Sequence, residues 1–186
     1  KGKDVKLRKE IAIAIKECMM HENLFGVLVS HGSSTVPKYI VDEINALGGN
    51  IQNAYGISID ELKAAIPCGI GKINVDTDIR LAVTRNMKEF FKNNPSKRDS
   101  ASIGGVYQLL EEKKDQFDPR AFLPPIMDTV MYGTIKDDDT AALVEVIEKG
   151  VKEAIGTLIV EFGSFGKAPL VEQISLEEMI ERYKKM

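Results

Sequence analysis

Histidine is scarce in this chain: His21 and His31 are the only two among 186 residues. One histidine at a strand end is a thin basis for a metal site, which gathers several ligands. Cysteine is as scarce. Cys18 and Cys68 form no CxxC pair, which argues against a disulfide framework and for a reducing, cytoplasmic setting. Uninterrupted apolar runs such as Leu24–Val29 are far shorter than the roughly 20 residues of a membrane helix. No membrane partner is therefore expected. A net charge of −3 without a basic stripe argues against nucleic acid. The opening residues Lys1-Gly2-Lys3-Asp4 are charged and lead into no apolar core, so they do not read as a signal peptide. The first residue is not Met, and the chain reads as starting partway through a larger architecture. Internal repeats and low-complexity tracts are also missing.

What is present is a soluble, globular composition, 44% apolar and 28% charged. The spacing of Ile11, Ile15, Cys18 and Met19 predicts an amphipathic helix over Leu7–Met20 with Cys18 on its apolar face. A strand follows over Leu24–Ser30. Val36, Ile40, Val41, Ile44 and Leu47 predict a helix that begins near Pro37 and stops at Gly48-Gly49. Ser58-Ile59-Asp60-Glu61 is a capping box that opens a short helix, and a second strand runs from Gly71 to Val75. Strand, helical crossover and strand form a parallel βαβ unit. Asp78 is expected to cap the next helix, which turns Val83, Met87, Phe90 and Phe91 inward as far as Lys92. A modest helix over Ile103–Glu112 and a turn at Phe117-Asp118-Pro119-Arg120 come next. Val144, Ile147, Val151, Ile155, Leu158 and Phe162 mark one long helix over Thr140–Phe162, ended by Gly163 and Gly166. Ser175-Leu176-Glu177-Glu178 caps the last one. This adds up to two strands and about seven helices. The class is α/β, although a parallel sheet is normally covered on both faces and two strands make a small one. Residues 1–95 read as βα units and 96–186 as a helical extension packed on the same domain.

The chemistry gathers at the two strand ends. His31 offers an imidazole to a metal. Gly32 allows close backbone approach, and Ser33 and Ser34 supply hydroxyl and amide donors ahead of a helix N-terminus suited to phosphate. At the second strand end, alternation points Asn74 and Asp76 the same way, where an amide and a carboxylate can hold the oxygens of a sugar-like substrate. Thr77 and the following helix amides suit a phosphate, and Arg80 adds a fixed cation. The competing structural reading makes HGSS a helix cap with turn serines and Arg80 a solvated residue. Asp137-Asp138-Asp139 lacks the glycine and distal glutamate of a calcium loop and reads as a helix N-terminal acidic cluster. Cys68 has no histidine nearby in sequence to activate it.

VSHGSSTVP, INALGGNIQNAYGISIDEL, KINVDTDIRLA, FDPRAFL, FGSFGKA and the final ISLEEMIERY together resemble class II fructose-bisphosphate aldolases, over nearly the whole chain. Residues 96–116 and 131–142 look like insertions. The resemblance implies the C-terminal part of a (β/α)8 TIM barrel, a homo-oligomer, zinc with a monovalent cation beside it, and a phosphosugar substrate. It implies reversible cleavage of fructose 1,6-bisphosphate to glyceraldehyde 3-phosphate and dihydroxyacetone phosphate. Residue by residue, it implies His31 as a zinc ligand and Gly32, Ser33 and Ser34 at the dihydroxyacetone-phosphate phosphate. Asn74 matches the residue at the enediolate oxygen, Asp76 the one at substrate hydroxyls, and Thr77 a second phosphate contact. Arg80 falls near the distal phosphate, and Arg120 matches a residue reaching a neighbouring subunit's site. Sites at the carboxyl ends of strands agree with the barrel rule.

Two family segments are missing from this sequence. One is the LDHG-type segment with the catalytic aspartate and the first zinc histidine; the other is the SHGxYK-type segment with another histidine. The general acid/base is therefore absent, and only the last two of eight barrel strands are expected here. On this reading the chain alone is inactive and works with a complementary N-terminal aldolase segment. Two alternatives stay open: a sibling aldolase for tagatose bisphosphate or another phosphosugar, and a non-catalytic module that binds phosphate or a partner protein.

Overall fold

The structure, a computed structural model, describes residues 5–185; the charged Lys1–Asp4 opening lies outside them. Helix α1 spans Lys9–His21 and leads to β1, Leu28–Ser30. Helices α2 (Lys38–Ala46) and α3 (Ile59–Ala65) separate β1 from β2, Ile70–Ile73. The rest is helical: α4 (Thr77–Asn93), α5 (Gly104–Glu112), α6 (Met127–Tyr132), α7 (Asp138–Glu161) and α8 (Leu176–Lys184). Short 3-10 turns fill several of the connections. No described helix is long and apolar enough to cross a membrane.

The expected parallel pair forms, with Leu28 opposite Ile70, Val29 opposite Lys72 and Ser30 opposite Ile73. Both strands are shorter than their apolar runs. Leu24, Phe25 and Val27 precede β1 and stay 59%, 91% and 64% exposed, because β2 is only four residues long and cannot pair with them. The register is irregular between Leu28 and Val29. Gly71 accommodates that irregularity, since a Cβ there would lie 2.5 Å from Val27 Cβ.

The capping signals are largely realised. Ser58 Oγ accepts the Glu61 N–H at 3.2 Å, and Ser175 Oγ accepts the Glu178 N–H at 3.1 Å. The Glu61 carboxylate does not return to its cap. It takes the Leu7 N–H at 3.2 Å and Lys9 Nζ at 2.8 Å, tying the start of the chain to α3. Asp137 caps α7, accepting the Thr140 N–H at 2.8 Å, while Asp139 accepts Ser100 Oγ at 2.6 Å and pairs with Lys97. The acidic run is therefore tied into the fold as a cap and an ion pair.

The core lies among the helices. Met87 and Phe91 of α4, Val106 and Leu110 of α5, Leu143 of α7 and Phe122 from the turn after Pro119 pack into one buried cluster. A second cluster joins Ile40 and Ile44 of α2 to Leu81 and Ala82 of α4 and Ala154 of α7. Helix α4 thus bridges both halves of the chain. Gly150 lets α7 sit directly on α4, because a Cβ there would stand 3.0 Å from the Ala82 carbonyl oxygen. The fully buried residues of α7 are Thr140, Leu143, Gly150 and Ala154; of the expected stripe, Ile147 and Val151 pack half-buried beside them, while Ile155 faces out at 40% exposure. A small-residue contact takes part of the inward face where hydrophobicity alone favoured the larger side chains.

Helix α1 departs most from expectation. It has no buried residue, and Cys18 is exposed where a core position was expected. Its apolar face is real, with Ile11, Ile15, Cys18, Met19 and Leu24 lining a shallow groove of about 420 Å³, but the described residues do not cover it.

Candidate active site

β1 and β2 deliver their polar residues to the same end of the sheet because the strands are parallel. The ladder continues past both. Asn74 N–H donates to the Ser30 carbonyl at 2.9 Å, and Ser33 N–H donates to the Asn74 carbonyl at 3.2 Å. A cleft of about 510 Å³ opens there, lined by Gly32, Ser34, Asn74, Asp76 and Thr77 and closed by Asn53–Tyr55 and Phe117. A larger cleft of about 630 Å³ lies behind the Thr35–Pro37 segment, between α3 and α7. None of the expected site residues lines it, so the smaller cleft is where the chemistry converges.

Within the cleft wall, Asn74 Nδ2 lies 3.1 Å from His31 Nδ1, and Asn74 Oδ1 accepts Lys72 Nζ. Lys72, Asn74 and Asp76 alternate along the strand and share a side. Lys72 was not among the sequence candidates, although period-two spacing from Asn74 could have raised it. Ser33 is fully buried, its Oγ 2.6 Å from Ser30 Oγ. Ser34 Oγ accepts the Asp76 N–H at 3.2 Å and the Thr77 N–H at 3.0 Å, which uses two of the free amides at the start of α4. Its own hydroxyl proton stays available for donation.

Asp78 corrects the sequence reading. It does not cap α4. It is 3% exposed, and its carboxylate crosses to the other turn, accepting the Thr35 N–H at 2.9 and 3.1 Å and the Thr35 hydroxyl. The next residue, Val36, holds a left-handed backbone with φ of 51°, a conformation that costs a β-branched residue about 1–2 kcal/mol. Gly56 packs under the same turn. A Cβ there would lie 2.1 Å from the Thr35 carbonyl oxygen, and Ile57 N–H donates to the Ser34 carbonyl at 3.1 Å.

Charges run in alternation along one rim. Arg80 holds Asp76 at 2.5 Å and also pairs with Asp118, which in turn holds Arg120 at 2.5 Å. Arg120's hydrogen bonds and the nearby Arg80 charge, working against partial burial, hold the Asp118 carboxyl down at about 2. Arg80 is therefore a shared cation with two carboxylates on it, not the solvated residue of the competing reading. Arg120, 71% exposed at its side chain, projects from the rim. The turn that carries it is fastened to α4 by the buried Thr84, whose hydroxyl donates to the Phe117 carbonyl at 2.8 Å.

A zinc site with three protein ligands needs a converging set, and among the described residues no three His, Cys, Asp or Glu come together. His31 stands beside an amide and an ammonium group. One imidazole with those neighbours does not make a complete zinc site.

The two parallel strands thus end in a glycine-serine turn and an Asn-Val-Asp-Thr turn that share one cleft. The family model for class-II fructose-bisphosphate aldolase matches residues 1–167, and the chain belongs to that family. It is 32% identical over 156 residues to a fructose-bisphosphate aldolase of Xanthobacter flavus, covering 84% of this chain and 33% of that protein. It is 33% identical over 180 residues to one from Giardia intestinalis, covering 96% of this chain and 43% of that one. A third, from Stutzerimonas stutzeri, is 33% identical over 156 residues. The chain spans about a third of the length of the first of these relatives.

Proposed function

We propose that this chain forms the phosphate- and enediolate-holding side of a class II aldolase pocket in a (β/α)8 barrel. The reaction is reversible cleavage of fructose 1,6-bisphosphate to glyceraldehyde 3-phosphate and dihydroxyacetone phosphate. The observation that carries this is the convergence of Gly32, Ser34, Asn74, Asp76 and Thr77 on one cleft at the carboxyl ends of two parallel strands. In this reading the Gly32–Ser34 turn and the Thr77 hydroxyl hold the phosphate of dihydroxyacetone phosphate. Asn74 Nδ2 donates to the oxygen that gains negative charge as the carbon–carbon bond breaks, which lowers the barrier because the donor is already in place. Asp76 accepts from substrate hydroxyls, and Arg80 and Arg120 supply positive charge towards the distal phosphate. Phosphate contacts at both ends orient the scissile bond.

The general acid/base and the remaining zinc ligands come from a complementary aldolase segment in this proposal, and His31 adds one ligand to theirs. The uncovered apolar face of α1 and the exposed Phe25 and Val27 beside β1 support such a neighbour, because parallel sheets are covered on both faces. The site acts in a soluble, cytoplasmic homo-oligomer.

The test has two parts. The chain is titrated with dihydroxyacetone phosphate while the amides of Gly32, Ser33 and Ser34 are followed by NMR, and it is assayed for bisphosphate cleavage with added zinc. Selective shifts at those amides with no turnover are expected. Robust cleavage by the chain alone overturns the need for a complementary segment. Shifts confined to other residues overturn the pocket.

A further inference from the structure

We infer that Asp78 is a positioning residue that holds the Gly32–Ser34 phosphate turn in its donating shape, a conclusion that rests on the pocket reading above. The two strand-end turns are tied together reciprocally. Ser34 reaches from the first turn to the amides of Asp76 and Thr77 in the second. Asp78 reaches from the second turn back to the amide and hydroxyl of Thr35 in the first. Each link uses a side chain from one turn and the backbone of the other, so neither turn can move alone.

The link is directed at a weak point of the chain. Val36 follows Thr35 with φ of 51°, a conformation that disfavours a β-branched side chain, and strain of this kind persists only where the surroundings over-determine it. Two carboxylate oxygens on Thr35, buried at 3% exposure, supply that constraint immediately before the strained residue. The Ser34 carbonyl accepts Ile57 N–H, and Gly56 presses against the Thr35 carbonyl from below. If Asp78 let go, Val36 would relax towards an ordinary φ, and the rotation would pass back through Thr35 to Ser34. Ser34 lines the cleft; Asp78 does not, so its effect on a bound phosphate goes through the turn. Charge-assisted bonds of this kind are stronger than neutral ones, and an amide in place of the carboxylate keeps only one acceptor oxygen for two donors.

The experiment compares wild type, Asp78→Asn, Val36→Gly and the double variant, with dihydroxyacetone phosphate as the probe. NMR titration gives Kd at the Gly32–Ser34 amides, and hydrogen exchange gives the protection of the Thr35 amide. Asp78→Asn is expected to raise Kd about tenfold and to lower Thr35 protection at least tenfold. Adding Val36→Gly, which removes the strain, is expected to bring Kd back to within about threefold of wild type. Kd is read on the folded fraction, with urea denaturation giving each variant's stability, so that a change in Kd at full folded population reports the turn and separates positioning from a general loss of stability. An unchanged Kd in Asp78→Asn, or no recovery in the double variant, overturns the inference. If wild type does not bind the probe, the pocket reading fails while the clamp is still judged by exchange. Unchanged Thr35 protection in Asp78→Asn would then overturn it, and a tenfold loss would uphold it.

Discussion

The helical core and the strand-end turns are built on opposite principles. Around α4, α5 and α7 the contacts are mainly apolar. Phe91 meets Phe90 edge-on at 5.2 Å between ring centroids and Tyr107 at 5.3 Å, and Met87, Val106 and Leu143 are 0% exposed. At the strand ends Val36 and Ile79 still rest on the α2–α4 cluster, but the two turns are joined to each other by Ser34, Thr35, Asp78 and the backbone, through hydrogen bonds that reach across from one turn to the other. An apolar core contributes chiefly stability. A polar clamp fixes direction, and direction is what a phosphate site needs. The cost is sensitivity: a buried polar group that loses its partner is left with its full desolvation penalty.

That contrast can be broken from either side. Phe91→Ala should have the largest effect, about 3–5 kcal/mol of unfolding free energy, read from urea denaturation, with the chemical shifts of Gly32 and Ser34 in the folded fraction unchanged. Gly56→Ala should come next, at about 1–3 kcal/mol. It should differ in kind, moving the Ser34 and Thr35 amide shifts because the Thr35 carbonyl has to give way. Equal turn shifts in the two variants would erase the distinction.

Asp118 gives a smaller, pH-dependent effect. Its folded carboxyl sits at about 2, below the roughly 3.9 of an unfolded aspartate. The resulting stabilisation is present above pH 4 and lost as pH falls towards 2. With Arg120 largely in solvent, screening limits this to about 1 kcal/mol. Asp118→Asn should flatten the acid limb of the stability curve by that amount and leave the neutral-pH core signals in place. The smallest effect is expected at Ile15→Ser on α1, within about 0.5 kcal/mol, because Ile15 is 43% exposed. Light scattering should nevertheless register less self-association. A cost as large as that at Phe91 would mean that α1 is covered after all.

Much of this was legible from local pattern. Helix α2 appeared from Ile40, Val41 and Ile44, the caps at Ser58 and Ser175 from their spacing to Glu61 and Glu178, and the parallel pair from two apolar runs separated by a helix. The segments around His31 and Asn74 pointed to the family, and the family model over residues 1–167 agrees. Periodicity placed α7 and the core contacts of Ile147 and Val151 but missed the close approach at Gly150, and on α1 an apolar face was read as core although the described chain leaves it open. It failed again at Asp78. A helix-start aspartate looks like a cap, and no local signal shows that its partner is Thr35, far away in sequence.

The sequence by itself determined which residue types reach the strand ends and the family they belong to, because alternation, capping and turn chemistry act between neighbours in the chain. Tertiary structure alone decided how those ends are joined: Asp78 to Thr35, Ser34 to the start of α4, and Arg80 between Asp76 and Asp118. These partners meet only once α4 has packed on α2 and α7. A hydrogen bond depends on distance and direction in space, which separation along the chain does not encode.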